Sequence, residues 1–145
     1  MISKHFTDVP ATAITKEGFK GMNARFVLTK YDGCMNYAMR VMEFEPGGHT
    51  SVHAHAEEHE FFFLEGEPEY VDGEGNVTRL KYGDLVYVAP FEPHQIKNSG
   101  NTVMRVVCTI PILSGGNGII TTNARPDIDK PEFEKALGEA RAKMQ

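Results

Sequence analysis

Turn residues divide the chain into short runs of β-forming residues, and this pattern limits what it can fold into. The turn residues are clustered at Pro46-Gly47-Gly48, Asp72-Gly73-Glu74-Gly75-Asn76, Tyr82-Gly83-Asp84 and Asn98-Ser99-Gly100-Asn101. Around them we predict strands at residues 23–30, 36–44, 51–55, 59–65, 68–71, 77–80, 85–89, 94–98 and 102–110. Many short strands with regular turns are typical of a sandwich or a barrel, so we expect an all-β fold.

The composition changes after Pro111. Residues 114–118 read Ser-Gly-Gly-Asn-Gly, which is typical of a linker. Farther on, apolar residues recur at helical spacing, namely Phe133, Ala136, Leu137, Ala140 and Met144. We therefore predict a β-barrel in residues 1–112 and a linker with a short C-terminal helix in residues 113–145, the helix packing on the barrel or on a partner subunit.

Charge and hydrophobicity argue against two classes of partner. The formal net charge is −5 and the basic residues form no stripe, which argues against nucleic acid. No apolar run approaches the roughly 18 residues that span a bilayer, and the N-terminus lacks an apolar stretch of signal-peptide length. We expect a cytoplasmic protein, in which Cys34 and Cys108 remain free thiols.

Three of the six histidines lie within residues 53–59. If this segment is extended, His53 and His55 point to the same face because strand side chains alternate. A reversal through residues 56–58 would bring His59 back beside them, and His94 is a fourth candidate. Neutral imidazole suits first-row metals such as Mn, Fe, Co, Ni and Zn, so the spacing predicts a metal site in the wall of a β-structure.

Glycines flank these histidines at fixed intervals. The two segments read Gly47-x5-His53-x-His55-x3-His59-x6-Gly66 and Gly83-x10-His94-x3-Asn98. They resemble the two motifs of the cupin superfamily, and the resemblance extends over about residues 22–112. It implies a double-stranded β-helix, or jelly-roll barrel, with a divalent metal ion bound by His53, His55, His59 and His94.

The chain departs from the usual cupin motifs at two places. Most metal-binding cupins carry a glutamate where His59 stands, so the chain resembles the small four-histidine manganese cupins. Manganese is then the expected metal, with iron, nickel and zinc as alternatives. The second motif usually has a proline and a glycine where this chain has Ala89 and Phe91.

Glu60 is the alternative to His59 as the third ligand, because cupins also tolerate one more residue before that position. The apolar run that follows Glu60 is compatible with either register. The six-residue interval from His59 to Gly66 favours His59. Glu60 would then face outward or support a ligand.

Further residues are candidates for the lining of a pocket. Phe61 and Phe63 share strand parity with His59. By resemblance to small four-histidine cupins, the Cys108 thiol faces the metal cavity, although burial as a small hydrophobe is an equal alternative. Arg40 is either an anchor for an anionic substrate or a surface residue on an outward strand face, and we favour the surface.

The remaining polar residues near the motifs are interpreted as structural. We favour this for His5 and for His49, although His49 shares parity with His53. Asp32 and Asp84 are interpreted as turn residues, and residues 57 and 58, both glutamates, as a solvated loop edge.

The expected chemistry follows from the four neutral ligands, which leave the charge of a divalent ion uncompensated and make it a strong Lewis acid. A substrate with two oxygens, such as an enolate, a hydroxy acid or a diketone, could chelate it. No side chain is identified as the catalytic base, so a metal-bound water or hydroxide is the default.

The cupin resemblance implies an oxidoreductase of the dioxygenase type as the leading activity. The alternatives are a Lewis-acid lyase, isomerase or cyclase, and a non-enzymatic protein that binds or senses a small ligand. The resemblance also implies a homodimer formed through strands at the edge of the barrel.

Overall fold

In a computed structural model of the chain, which describes residues 1–112 and residue 142, nine strands form one curled antiparallel sheet. The strands are β1 (Thr12–Ala13), β2 (Lys20–Leu28), β3 (Tyr37–His49), β4 (His59–Glu65), β5 (Pro68–Val71), β6 (Val77–Arg79), β7 (Leu85–Val88), β8 (Gln95–Asn98) and β9 (Met104–Pro111). Two short 3-10 helices cover Phe6–Asp8 and Lys30–Asp32.

The strand order is β6-β5-β8-β3-β9-β4-β7, with β2 paired to β3 and β1 paired to β2. Strand β3 is long enough to join both parts of the sheet. It pairs with β9 from Tyr37 to Phe44 and with β8 at His49. The candidate metal ligands lie on β4, just before β8, and in the loop between β3 and β4. The curl of the sheet brings these segments together.

A β-bulge allows β3 to bend between the part that pairs with β9 and the part that pairs with β8. The β2–β3 register passes from Met22 opposite Phe44 to Lys20 opposite His49, so β3 carries extra residues there. Gly47 lies in this bulge with a φ of 71°, a left-handed conformation that glycine adopts without strain. The side-chain amide of Asn98 donates hydrogen bonds to the carbonyls of Phe44 and Glu45 and fixes the bulge.

The core lies on the inner face of the curled sheet, where side chains alternate as expected. On β4 the inward residues are His59, Phe61 and Phe63, which are buried. On β9 the inward residues are Met104, Val106, Cys108 and Ile110. Burial of one such large apolar side chain contributes about 1.5–3 kcal/mol.

The all-β prediction is confirmed, and eight of the predicted strands correspond to β2 through β9. The strand predicted at residues 51–55 is wrong, because only His53 forms a single bridge there, with His94. Besides this bridge, the segment is tied to residues 91–94 by the bond from the Phe91 amide to the His55 carbonyl, and these contacts do not make a continuous ladder. The short strand β1 was not predicted.

The predicted linker and C-terminal helix fall on residues 113–145 and lie, apart from residue 142, outside the described residues. Within the described part, no helix has the length and hydrophobicity needed to cross a membrane.

Candidate metal centre

The four histidines predicted as ligands converge in the structure. One ring nitrogen from each of His53, His55, His59 and His94 can be chosen so that all lie within 4.8 Å of one another. His59 is the first residue of β4, and His94 immediately precedes β8. His53 and His55 belong to the irregular loop between β3 and β4. Their common direction therefore comes from the path of this loop and not from strand alternation.

Backbone hydrogen bonds fix the loop against the segment before β8. The amide of His53 donates to the carbonyl of His94 over 3.1 Å, and the amide of His94 donates to the carbonyl of His53 over 2.9 Å. The amide of Phe91 donates to the carbonyl of His55 over 2.8 Å. Because these bonds link the loop to the His94 segment, the relative positions of three imidazoles are set by the main chain.

Hydrogen bonds also fix the tautomer of three imidazoles. Nδ1 lies 2.8 Å from a backbone carbonyl in each case: Ser51 for His53, Glu57 for His55 and Glu92 for His94. A carbonyl only accepts hydrogen bonds, so Nδ1 must carry the proton. Nε2 is then left with a free lone pair, which is the form of histidine that binds a metal.

Two features at the centre of the cluster fit a bound cation. Nε2 of His55 and Nε2 of His59 are only 2.6 Å apart, a distance at which one ring donates a hydrogen bond to the other or both lone pairs face a common ion. Nε2 of His94 is buried and has no hydrogen-bond partner among the described residues. A buried acceptor without a partner is costly, and a bound ion removes this cost. The donor set therefore fits a divalent metal ion.

Burial keeps the cluster neutral. Desolvation is the largest cause in every ring and lowers the pKa of His53 and of His55 to about 3 and the pKa of His94 to about 4. It also holds the pKa of His59 well below the ordinary value. All four rings are thus available as neutral ligands at physiological pH.

His59 and not Glu60 points into the cluster. His59 is buried, while Glu60 is exposed on the outer face of β4. Nδ1 of His59 lies 3.2 Å from the Cys108 sulfur, so the buried thiol supports the ring from behind. Burial raises the pKa of Cys108, which keeps it a neutral thiol. Cys108 is not among the residues that line the cavity described next.

The histidines lie at one side of a cavity of about 320 Å³. Its remaining walls are mainly apolar and are formed by Ile14, Phe19, Met22, Ala24, Phe26, Met42, Phe61 and Ile96. The polar residues are Lys16, Arg40, Thr50 and Glu57. Of the two predicted phenylalanines, Phe61 lines the cavity and stacks on the His59 ring at 5.0 Å, whereas Phe63 lies in the core.

The interpretation of Arg40 as a surface residue on an outward face is wrong. Arg40 lines the cavity, and its Nε atom is buried. It shares strand parity with Ala38 and Met42, which belong to the core. The outer face of β3 carries apolar residues as well, so the pattern of β3 did not reveal which face is inward.

The interpretation of Glu57 as a solvated residue is also wrong. Glu57 is only 1% exposed and lines the cavity. Its Oε2 lies 3.5 Å from Nδ1 of His55, and its carbonyl accepts the hydrogen bond from the same nitrogen. Glu57 therefore holds the His55 ring in place. Sequence alone gave no indication of this burial, because the residue lies in a loop without periodicity.

The neighbouring Glu58 lies on the surface, where it accepts a hydrogen bond from the Tyr87 hydroxyl over 2.8 Å.

The other polar residues have structural roles. His5 caps the first 3-10 helix, and Nδ1 of His49 bonds to the carbonyl of Thr50 outside the cluster. Asp32 caps the second 3-10 helix, and the Asp84 carboxylate accepts a hydrogen bond from the Lys81 amide in a turn. These interpretations agree with the structure.

The departure from the second cupin motif has a structural consequence. Ala89, Pro90, Phe91 and Glu92 form a turn closed by a hydrogen bond from the Glu92 amide to the Ala89 carbonyl. Phe91 adopts a φ of 64°, and it is the only non-glycine residue with positive φ in the described part. At the position where the cupin motif usually has glycine, this chain thus has a phenylalanine in a left-handed conformation, at a cost in strain.

Comparison with known proteins agrees with this architecture. Residues 40–110 match the Cupin_2 family model, a cupin domain. An oxalate-binding protein of Thermotoga maritima is 33% identical over 73 residues, covering 50% of this chain and 60% of that protein. An uncharacterized protein of Methanocaldococcus jannaschii is 29% identical over 68 residues, covering 43% of this chain and 50% of that protein. The match thus spans only half to three-fifths of these curated relatives.

Two solved structures are similar in fold. The polyketide cyclase RemF from Streptomyces resistomycificus superposes with a TM-score of 0.76 at 23% identity, covering 99% of this chain and 98% of that chain. A predicted oxalate decarboxylase from Thermotoga maritima gives a TM-score of 0.69 at 25% identity, covering 77% of this chain and all of that chain. The matched family model shows that the chain carries a Cupin_2 domain in residues 40–110, and the similar structures share its fold.

Proposed function

We propose that the protein is a metal-dependent cupin enzyme that acts on a small molecule bound through two oxygen atoms, by Lewis-acid chemistry of the lyase, isomerase or cyclase type. The observation that carries this proposal is the set of four neutral imidazoles at the wall of an apolar cavity. A divalent ion held by His53, His55, His59 and His94 would supply a Lewis acid whose charge no ligand cancels.

The residues of the chain contribute orientation and exclusion of water. Carbonyls of the main chain fix the rings of His53, His55 and His94, so the ligand nitrogens need little reorganisation when the ion binds. Phe19, Phe61 and the other apolar walls keep bulk water from the substrate. In such a cavity, the attraction between positive groups and developing negative charge is stronger than in water.

The names of the similar proteins support this class of reaction. A polyketide cyclase and a predicted oxalate decarboxylase are among the similar structures, and an oxalate-binding protein is among the relatives. Polyketides and oxalate each carry several oxygen atoms that can chelate a metal. None of these names refers to oxidation by dioxygen.

A dioxygenase is the second candidate. It was the leading expectation from the sequence, and it is supported by the donor set, because imidazole also suits the redox-active metals Fe and Mn. Both candidates use the same four histidines and differ in their need for dioxygen and for a redox-active ion.

The expected homodimer and cytoplasmic location stay predictions. Light scattering on the purified protein tests the homodimer.

Elemental analysis of protein purified without added metal tests the metal centre. We expect about one divalent ion per chain in the wild type, and loss of the ion in His53→Ala and His94→Ala with the fold retained by circular dichroism. His59→Ala should weaken metal uptake, while Glu60→Ala should leave it unchanged because Glu60 is exposed on the other face of β4. Stronger metal loss in Glu60→Ala would contradict the ligand assignment.

Turnover of a panel of diketones and hydroxy acids then separates the two candidates. Lewis-acid chemistry predicts that protein loaded with Zn²⁺ converts its substrate under strict exclusion of oxygen. Turnover that needs Fe²⁺ or Mn²⁺ and consumes dioxygen would contradict the first candidate and support the second.

A further inference from the structure

We propose that Arg40 and the metal centre together form a two-point site for an anion, so that the substrate is a small carboxylate or enolate that bridges the metal and the guanidinium. This inference rests on the proposed function, because one of the two points is the ion held by the four histidines. It adds the class of substrate, and it makes Arg40 the residue that selects it.

The register of the sheet places Arg40 beside the ligands. Arg40 lies opposite Cys108 in the β3–β9 pair, and Cys108 lies opposite Phe61 in the β4–β9 pair. Phe61 in turn stacks on the ring of His59. The guanidinium therefore belongs to the same inward-facing row as residues that touch the metal ligands, and it lines the same cavity.

The guanidinium is held in the cavity without a carboxylate partner among the described residues. In that part of the chain, Arg25 and Arg105 both pair with Glu43, whereas no ion pair includes Arg40. Its Nε is buried and makes no hydrogen bond within the described residues, and its side chain reaches the Cys108 thiol. A buried donor without an acceptor is costly, so a ligand that accepts from it is favoured.

The balance of charge in the cavity also favours an anion. Among the described lining residues, Arg40 and Lys16 are positive and Glu57 is the acidic one. The four histidines are neutral, so a bound divalent ion would add its full charge. Excess positive charge among apolar walls is unfavourable until an anion enters. The cavity is thus positive in a chain whose formal net charge is −5.

The geometry of the guanidinium narrows the class of substrate further. Arginine presents a planar fork of N–H donors that matches the two oxygens of a carboxylate, and such charge-assisted pairs are among the strongest hydrogen bonds. A molecule that places two oxygens on the metal and further anionic oxygens toward Arg40 satisfies both points. Oxalate and malonate are the smallest probes with this arrangement, and a cavity of about 320 Å³ admits larger ones.

The test uses Co²⁺-loaded full-length protein titrated with oxalate and with malonate, followed by visible absorption of the ion. We expect both dianions to bind the wild type. Arg40→Met should weaken their binding by about tenfold to a hundredfold, the range for loss of a charge-assisted hydrogen bond. The affinity of Arg40→Lys for the dianions should lie between those of the wild type and Arg40→Met, because lysine keeps the positive charge but lacks the planar set of N–H donors.

Two controls separate this local contact from a general effect. Lys16→Met removes the same charge from an exposed position in the cavity wall. It should weaken dianion binding by less than about threefold. Added salt should abolish this difference from the wild type, because salt screens exposed charges. Imidazole, a neutral probe for the open metal positions, should bind the wild type and Arg40→Met within about threefold of each other.

The possible failures are distinguishable. Equal oxalate affinity in wild type and Arg40→Met, with full metal loading in both, overturns the inference and leaves the proposed function intact. Failure of loaded wild type to bind either dianion overturns it as well. Failure of the wild type to take up metal refutes the proposed function first. Loss of metal from both Arg40 variants would assign the residue a structural role instead.

Discussion

At the scale of single residues, the candidate metal centre contains groups that orient its histidines. Nδ1 of His55 contacts two oxygens of Glu57, the carbonyl at 2.8 Å and the carboxylate at 3.5 Å. Such partners fix the ring and raise the basicity of the nitrogen that binds the metal. The loop therefore supplies both a candidate ligand, His55, and the residue that orients it, Glu57.

Replacement of Glu57 should weaken metal binding without removing a ligand. We expect Glu57→Gln to lower metal affinity by about tenfold to a hundredfold, the range for loss of a supporting carboxylate. Competition with a chromophoric chelator measures the affinity. The matched control is Glu58→Gln, because Glu58 bonds to Tyr87 at the surface, and it should leave the affinity unchanged. Equal affinities in the two variants would show that Glu57 does not support His55.

The sequence was informative about the ligands and uninformative about Arg40 and Glu57. Histidines at the motif spacing were recognisable without knowledge of the loop path. The sequence pattern places Arg40 on the wrong face because β3 has buried apolar residues on both faces, Val41 on one and Met42 on the other. Period-two patterning identifies the inward face only where the other face is polar.

At the scale of elements, the loops carry more of the site than the strands do. Three of the four ligands lie outside strands, in segments tied together by the His53–His94 bridge. Strand alternation predicted that the side chains of His53 and His55 point the same way. They do so in the structure, but because of the path of the loop. No strand forms at residues 51–55 because the backbone there meets the segment before β8 only at the His53–His94 bridge and at the bond from the Phe91 amide to the His55 carbonyl.

The turn before His94 carries strain that a single substitution can measure. Phe91 has a φ of 64°, a conformation that costs an L-residue about 1–2 kcal/mol and glycine little. We expect Phe91→Gly to be more stable than Phe91→Ala by about 1 kcal/mol, since both lose the ring and only glycine relieves the strain. Urea unfolding followed by circular dichroism gives the two free energies of unfolding. If Phe91→Ala is as stable as Phe91→Gly, the turn is not strained.

At the scale of the whole molecule, the buried histidines link folding to pH. Their pKa values are lowered in the folded state to about 3 for His53 and His55 and about 4 for His94, against an ordinary value of 6.5. Above pH 6.5 the rings are neutral in both states and have no effect. Below it, the unfolded chain takes up protons that the folded protein does not, so stability falls as the pH falls.

We therefore expect the metal-free protein to lose stability between pH 6.5 and about 4, by up to about 1.4 kcal/mol per pH unit for each buried ring. Chemical unfolding at a series of pH values measures the slope. The double variant His53→Gln, His94→Gln should show a shallower slope, because two of the rings are gone. An unchanged slope in that variant would assign the acid sensitivity to other groups.

Strand β9 lies between β3 and β4 and forms the wall behind the ligands, yet it is the last strand of the described part. During synthesis, His53, His55 and His59 leave the ribosome well before residues 104–111 do. Until then β3 and β4 have no common neighbour, and the thiol of Cys108 that supports His59 has not been made. The four imidazoles therefore reach the arrangement described above only after residues 104–111 have been made.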